Sequence, residues 1–321
     1  MASERNLRKR LSLAGLLGLG LVLAAGTAGA GSGKGDDGVA SGLRAYLSGD
    51  FEAAHSRWRE QAESGEARAQ FGMAALYATG QGTAKDQEKA VRWYRKAAEQ
   101  GHPTAAFRLA QAYAEGDGLS RSPEKARKWY RRAAKAGHTS AYTVLGIRYR
   151  EEVPGKSERT VAFYRKGAEK GYADAQYNLG NFYARGRGVA ADPAKARRFY
   201  RKAAEQGHPR AALRLGGMYE DGNGVERDFA EAARWYRRGA ERGSAAAQLS
   251  LAKLYDRGKG VKADKVTAFK WYRLAATEEG VFQQPARTRA AKVARALSDE
   301  EKARAAEWVR RWTAEGIWTR G

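Results

Sequence analysis

A tyrosine recurs along this chain at an almost constant step. Tyr77, Tyr113, Tyr149, Tyr183, Tyr219 and Tyr255 stand 36, 36, 34, 36 and 36 residues apart. An aromatic pair keeps the same beat: Trp93-Tyr94, Trp129-Tyr130, Phe163-Tyr164, Phe199-Tyr200, Trp235-Tyr236 and Trp271-Tyr272. A closing glycine ends each unit, at Gly65, Gly101, Gly137, Gly171, Gly207, Gly243 and Gly280. A period of this length means one small structural unit copied and stacked, each copy covering the apolar face of the last. Six full units run over 66–280. A shorter one precedes them at 41–65, its Trp58 standing 35 residues before Trp93.

Each unit reads as two helices. In ADAQYNLGNFYARG, Ala175, Leu179 and Tyr183 share one face at i, i+4, i+8. Gly186 allows the left-handed turn that ends the helix, and Gly188 allows a second bend. An N-cap follows: Asp86, Ser122, Asp192, Asp228 or Asp264. Pro123 and Pro193 stand at the first helical position, where the missing N–H costs nothing. The second helix buries Ala90, Tyr94 and Ala97. Beyond the repeats, 281–321 reads as a C-terminal helical cap. It holds one helix over ARTRAAKVARAL, then a Ser298/Glu301 capping box and a second helix with Trp308 and Trp312 on one face. About seven helical hairpins and a cap make an all-α, α/α solenoid.

WYRKAAEQGHP, Trp93–Pro103, returns as FYRKAAEQGHP, Phe199–Pro209. Its histidine becomes Tyr172 in one unit and Ser244 in another, an exchange that a turn tolerates and chemistry does not. The fuller pattern, YARGRGVAADPAKARRFYRKAAEQGHPRAALRLGGMY, resembles the Sel-one-like repeat (SLR) family, relatives of tetratricopeptide repeats. The resemblance covers about 66–280. It implies right-handed α/α superhelices that hold protein partners, often as exported scaffolds or regulators in bacteria. A cysteine-rich branch of the family is associated with penicillin binding. This chain has no cysteine, so that activity is not carried over.

Catalysis finds little support. Without cysteine there is no thiol chemistry, disulfide or Cys-based zinc site, and only His55, His102, His138 and His208 supply imidazole. H-E-x-x-H, G-x-S-x-G and a phosphate-cradling loop are all missing. The repeated Gly-x-Gly joins helix to helix, not strand to helix. No enzyme activity, cofactor or metal is expected.

Residues 1–30 differ in kind. Arg5, Arg8, Lys9 and Arg10 precede the apolar run Leu11–Gly26, and Ala28-Gly29-Ala30 offers a cleavage site. This is the layout of a secretory signal. The run is short of the about 20 residues that a span needs and is broken by Gly15, Gly18 and Gly20, although an uncleaved anchor in the inner membrane is the alternative. Residues 31–40, GSGKGDDGVA, read as a flexible linker. The chain carries 59 Lys+Arg against 36 Asp+Glu; without 1–30 the counts are 55 and 35, a net +20. Beyond an export signal, in the periplasm of a Gram-negative source, such charge points to acidic proteins or anionic envelope polymers. Nucleic acid is not expected there.

Two surfaces are candidates. Second helices repeat a cationic triad: Arg92/Arg95/Lys96, Lys128/Arg131/Arg132, Arg198/Arg201/Lys202 and Arg234/Arg237/Arg238. Stacking would align these into a ridge able to hold polysaccharide, lipopolysaccharide or peptidoglycan, or they are simply solvated helix faces near helix C-termini. First helices carry a stripe, five and two residues before the repeat tyrosine, that changes from unit to unit. It reads Arg108/Gln111, Val144/Ile147, Asn178/Asn181, Arg214/Gly217 and Ser250/Lys253. By analogy with tetratricopeptide superhelices this stripe lines the concave face, where a partner is read. One unit, YREEVPGKSERTVAFY, lacks the Gly-x-Gly turn and is two residues short, which predicts a local change of stacking.

Overall fold

The structure, a computed structural model, describes residues 34–152 and 157–314. Within them are sixteen α-helices and no strand. They divide into two compact units, one ending at Ala141 and the other beginning at Tyr142, and each is a stack of helix pairs. The leader, the short unit's turn at 153–156 and the chain end beyond 314 lie outside the described residues.

The first unit holds α1 (Lys34–Leu47) with α2 (Phe51–Glu63), α3 (Ala67–Thr79) with α4 (Gln87–Glu99), and α5 (Pro103–Glu115) with α6 (Pro123–Lys135). The linker expected over 31–40 is corrected here, because Lys34 to Ala40 already belong to α1. The cause is Trp58, fully buried in the first pair. Its indole N–H donates to the Val39 carbonyl at 3.2 Å, and Tyr46 packs at 5.7 Å from its ring. Gly42 lies so close that a Cβ would come within 2.3 Å of the indole nitrogen. Gly42 is thus a packing requirement, and the large burial, roughly 1.5–3 kcal/mol for a side chain such as Trp58, offsets glycine's poor helix propensity.

The second unit holds α7 (Ala141–Glu152) with α8 (Ser157–Glu169), α9 (Ala173–Arg185) with α10 (Pro193–Glu205), α11 (Pro209–Asp221) with α12 (Phe229–Glu241), and α13 (Ala245–Arg257) with α14 (Lys265–Ala275). The expected N-caps all form: Asp86, Ser122, Asp192, Asp228 and Asp264 each accept an amide N–H from the first turn. Each contributes about 1 kcal/mol. Gly186 ends α9 at φ 63°, which a β-carbon would resist. The second glycine of the turn serves contact between repeats: a Cβ on Gly260 would fall 2.1 Å from the Phe229 carbonyl carbon at the start of α12.

The cap is α15 (Gln283–Ala294) and α16 (Asp299–Ala314). Ser298 and Glu301 form the reciprocal capping box, at 3.2 and 2.8 Å. Trp308 and Trp312 stand edge-on to Trp271 of α14 at 5.3 and 5.5 Å. They cover the aromatic face of the last Sel-one-like pair. Among the described residues no helix is long and apolar enough to cross a membrane.

Candidate functional site

The glycine–histidine punctuation is a helix cap. Nδ1 of His102 accepts from the Ala105 amide at 3.2 Å, and Nδ1 of His208 from Ala211 at 3.1 Å, with proline next in both. Each ring also stacks on an aromatic of its own unit's first helix. The centroid separations are 4.6 Å for Phe71–His102, 4.0 Å for Phe107–His138 and 4.5 Å for Tyr177–His208. Burial, aided by Arg68 and Arg108 respectively, pushes His102 and His138 down to about 4. Both are therefore neutral at pH 7. His208 Nε2 lies 3.3 Å from an oxygen of Asp174, and this hydrogen bond holds that carboxyl below its usual range. His55 stands edge-on to Tyr77 at 5.8 Å, its basicity lowered by burial and then by Arg59. Among the described residues no group of three or more His, Asp and Glu could hold a metal ion.

The cationic triads are exposed on α4, α6, α10 and α12, but their members do different things. In three of the four, the middle arginine reaches the repeat tyrosine of the next unit. Arg95 Nη2 donates to Tyr113 at 3.1 Å and Arg201 Nη2 to Tyr219 at 2.5 Å, and Arg237 meets Tyr255 in the same way. Arg131 is the middle member on α6. It is exposed, as is the leading Lys128, and the tyrosine in the matching place, Tyr149, lies outside the residues whose side chains are described. α6 belongs to the first compact unit and α10 and α12 to the second, so the triads are described unit by unit.

The last member of a triad folds over the indole of its own helix, Lys96 at 4.4 Å from Trp93, Arg132 at 4.6 Å from Trp129 and Arg238 at 4.8 Å from Trp235. Of the leading members, Arg198 lies 5.4 Å from Phe199 and Arg234 pairs with Glu231 at 3.0 Å. Much of the ridge is thus a clasp between repeats and a cover for their aromatic rings.

The varied stripe behaves otherwise. In the first unit Arg108 donates to Gln111 at 3.1 Å, so the pair satisfies itself. Val144 and Ile147 sit half-buried on α7. In the second unit α9, α11 and α13 enclose a groove of about 420 Å³ lined by Asn181, Arg214, Gly217, Ser250 and Lys253 of the stripe. Asn178 is half-buried on α9 and is not part of the lining. The floor is built by tyrosines from the second helices. Tyr200 donates to Asn181 Oδ1 at 3.0 Å and Tyr236 to Glu220 Oε2 at 2.6 Å. Gly180 and Gly216 admit these rings, since a Cβ at either would come within 2.7 and 2.6 Å. Burial pushes Tyr200 up to about 12; burial and then the Glu220 hydrogen bond raise Tyr236 further. Both remain protonated donors. Lys253 has its basicity lowered, chiefly by burial and next by Arg289.

The family model described as Sel1 repeat matches residues 67–102, 103–138, 173–208, 209–244 and 245–279, more than half of the chain. The chain belongs to the Sel1 repeat family. It is similar to a crystallised Sel1 repeat protein from Oxalobacter formigenes, with 31% identity over 76% of this chain and 99% of that one and a TM-score of 0.63. It is also similar to c5321, a protective antigen of uropathogenic Escherichia coli strains with an SLR fold, at 26% identity over 90% of this chain and 71% of that one, TM-score 0.46. No curated protein matches. Sel1 repeats are in general non-catalytic scaffolds that mediate protein–protein interaction.

Five Sel1 units are matched where the tyrosine spacing counts six. The unmatched stretch, 139–172, is the unit with the shortened turn. The groove draws in residues that the stripe does not contain: Tyr200 and Tyr236 on its floor, Arg185 one turn along α9, and Phe282 from the segment after the last Sel1 unit. One signal for Phe282 was available in the sequence. Val281-Phe282 is an apolar pair between Gly280 and a polar helix start, and both residues are exposed, at 81% and 40%.

Proposed function

We propose that this Sel1 repeat protein is an exported, non-catalytic scaffold or regulator of the bacterial cell envelope that holds a partner protein in the groove on α9, α11 and α13. One observation carries the reading: the first-helix positions that vary most between repeats come together around a cavity walled by cations, amides and tyrosine hydroxyls. A few oriented polar groups on a rigid frame are what specific docking requires. Export rests on the leader over 1–30 and on no structural observation. N-terminal sequencing of the mature chain from fractionated cells tests it. A periplasmic product beginning near residue 31 supports the proposal, an inner-membrane product retaining the leader supports an anchor, and a cytosolic chain starting at Met1 contradicts both.

A second reading, binding of anionic envelope polymer by the ridge, is favoured by the exposure of the triad cations, Lys128 and Arg131 among them, and the net charge of +23. Charge reversal separates the two, provided the clasp arginines are spared. R92E, R198E and K202E together should abolish salt-sensitive retention on lipopolysaccharide or peptidoglycan if the ridge binds polymer. They should leave partner binding intact if the groove does the work.

A further inference from the structure

The groove's wall chemistry narrows the class of partner, an inference that rests on reading the groove as a docking surface. Arg185 and Arg214 line it on α9 and α11, and both act on the Tyr200 hydroxyl. Lys253 lines it on α13, with Arg289 and Arg257 near enough to act on its ammonium. Among the described residues none of Arg185, Arg214 and Lys253 forms an ion pair, unlike Arg234 and Lys265 in the same unit. Of the acids present, Glu220 is engaged by the Tyr236 hydroxyl at 2.6 Å, which leaves Asp221 at the rim. Leu213, Met218 and Leu249 supply apolar wall, and Phe282 stands at the edge, 40% exposed. Cations outside any ion pair beside an apolar ledge, even with Glu220 acting on Lys253, are the complement of carboxylates beside an apolar side chain.

We propose that the groove binds an acidic segment of a partner protein, in which glutamate or aspartate side chains meet Arg185, Arg214 and Lys253 and an apolar side chain packs on Phe282. Bound carboxylates would also favour the ammonium form of Lys253, which burial and Arg289 disfavour. A neutral segment offers nothing to three cations held close together, and a basic one is repelled.

The test uses the full chain and fluorescein-labelled peptides of glutamate-glutamate-leucine triplets, their glutamine-glutamine-leucine counterparts, and a glutamate-only peptide, read by anisotropy. The account expects the acidic peptide to bind at least about tenfold tighter than the glutamine one, with affinity falling as salt rises. R214E/K253E should lose that preference, and R214Q/K253Q should lose most of it. F282A should bring the leucine-containing peptide down to the glutamate-only one. R198E/K202E should change nothing beyond a modest long-range term. Melting temperature controls for folding, since all these side chains are surface groups. Absence of binding, equal binding of the glutamine peptide, or loss in R198E/K202E in place of R214E/K253E overturns the proposal. If it is overturned while a crosslinker at Gly217 still captures a protein partner in cells, only the acidic specificity falls. If that capture fails too, the docking surface falls with it.

Discussion

Arg201 and Arg214 stand on the neighbouring helices α10 and α11 and illustrate two uses of one residue type. Arg201 belongs to a position that is basic in repeat after repeat, and it is spent on the Tyr219 hydroxyl of the next unit. Arg214 belongs to a position occupied elsewhere by arginine, valine, asparagine and serine, and it faces a groove without an ion pair among the described residues. In a stacked array, interactions that hold neighbours together must recur, because every interface is a copy. Recognition of one partner has no such requirement. Recurrence therefore marks what the fold needs, and variation at a well-placed position is where the proposed partner would be read.

Stability measurements can break this contrast, and the expected effects fall in order. Replacing Tyr236 with alanine empties a recurring buried position against Gly216. The expected loss is about 3–5 kcal/mol, seen as a large drop in urea midpoint; a small change would mean that the second-helix tyrosines are not the core of the stack. Acid should act next. His102 and His138 are neutral in the native chain with pKa values near 4. An unfolded histidine titrates near 6.5, so the unfolded state binds more protons between those values. Their contribution is thus complete above about pH 6.5 and is lost as pH falls toward 4, several kcal/mol for the two. Calorimetry of H102N/H138N should show a flatter pH dependence over that window, with asparagine still able to cap at 102.

The clasp comes third. Y219F removes the acceptor for Arg201 and should cost about 0.5–1.5 kcal/mol, a few degrees in melting temperature, and Y255F should match it. A neutral result at both would return the middle arginines to the pool of free surface cations. The smallest effect belongs to the groove: R214A and K253A should each lie within about 0.5 kcal/mol of wild type. A larger loss would mean that the varied positions also hold the fold, and the contrast would fail.

Much of the fold was legible in the chain because its signals repeat. Caps at Asp86 or Asp192 and rings at Tyr200 or Tyr236 reinforce one another across copies, so an accident in one unit cannot mislead. α1 was not legible for the opposite reason. It occurs once, and GKGDDG has linker composition; the contacts of Val39 and Gly42 with the Trp58 indole, which hold the helix, come from farther along the chain. The site was half legible. Asn181, Arg214 and Lys253 follow from register against the repeat tyrosine. Arg185, Phe282 and the tyrosine floor depend on how α9, α11, α13 and the segment at 280–283 converge in space, which a one-dimensional period does not contain.

The central claim is that partners are read on varied first-helix positions and not on the recurring second-helix cations. Photo-crosslinking in intact cells tests it most directly, with a photoactivatable phenylalanine analogue at Gly217 in one strain and at Lys202 in another. A Cβ at Gly217 meets only the Tyr236 hydroxyl, at 3.7 Å, so the groove admits the probe. A discrete protein adduct from position 217 and none from 202 is the predicted result; an adduct from 202 alone, or from neither, would contradict the account.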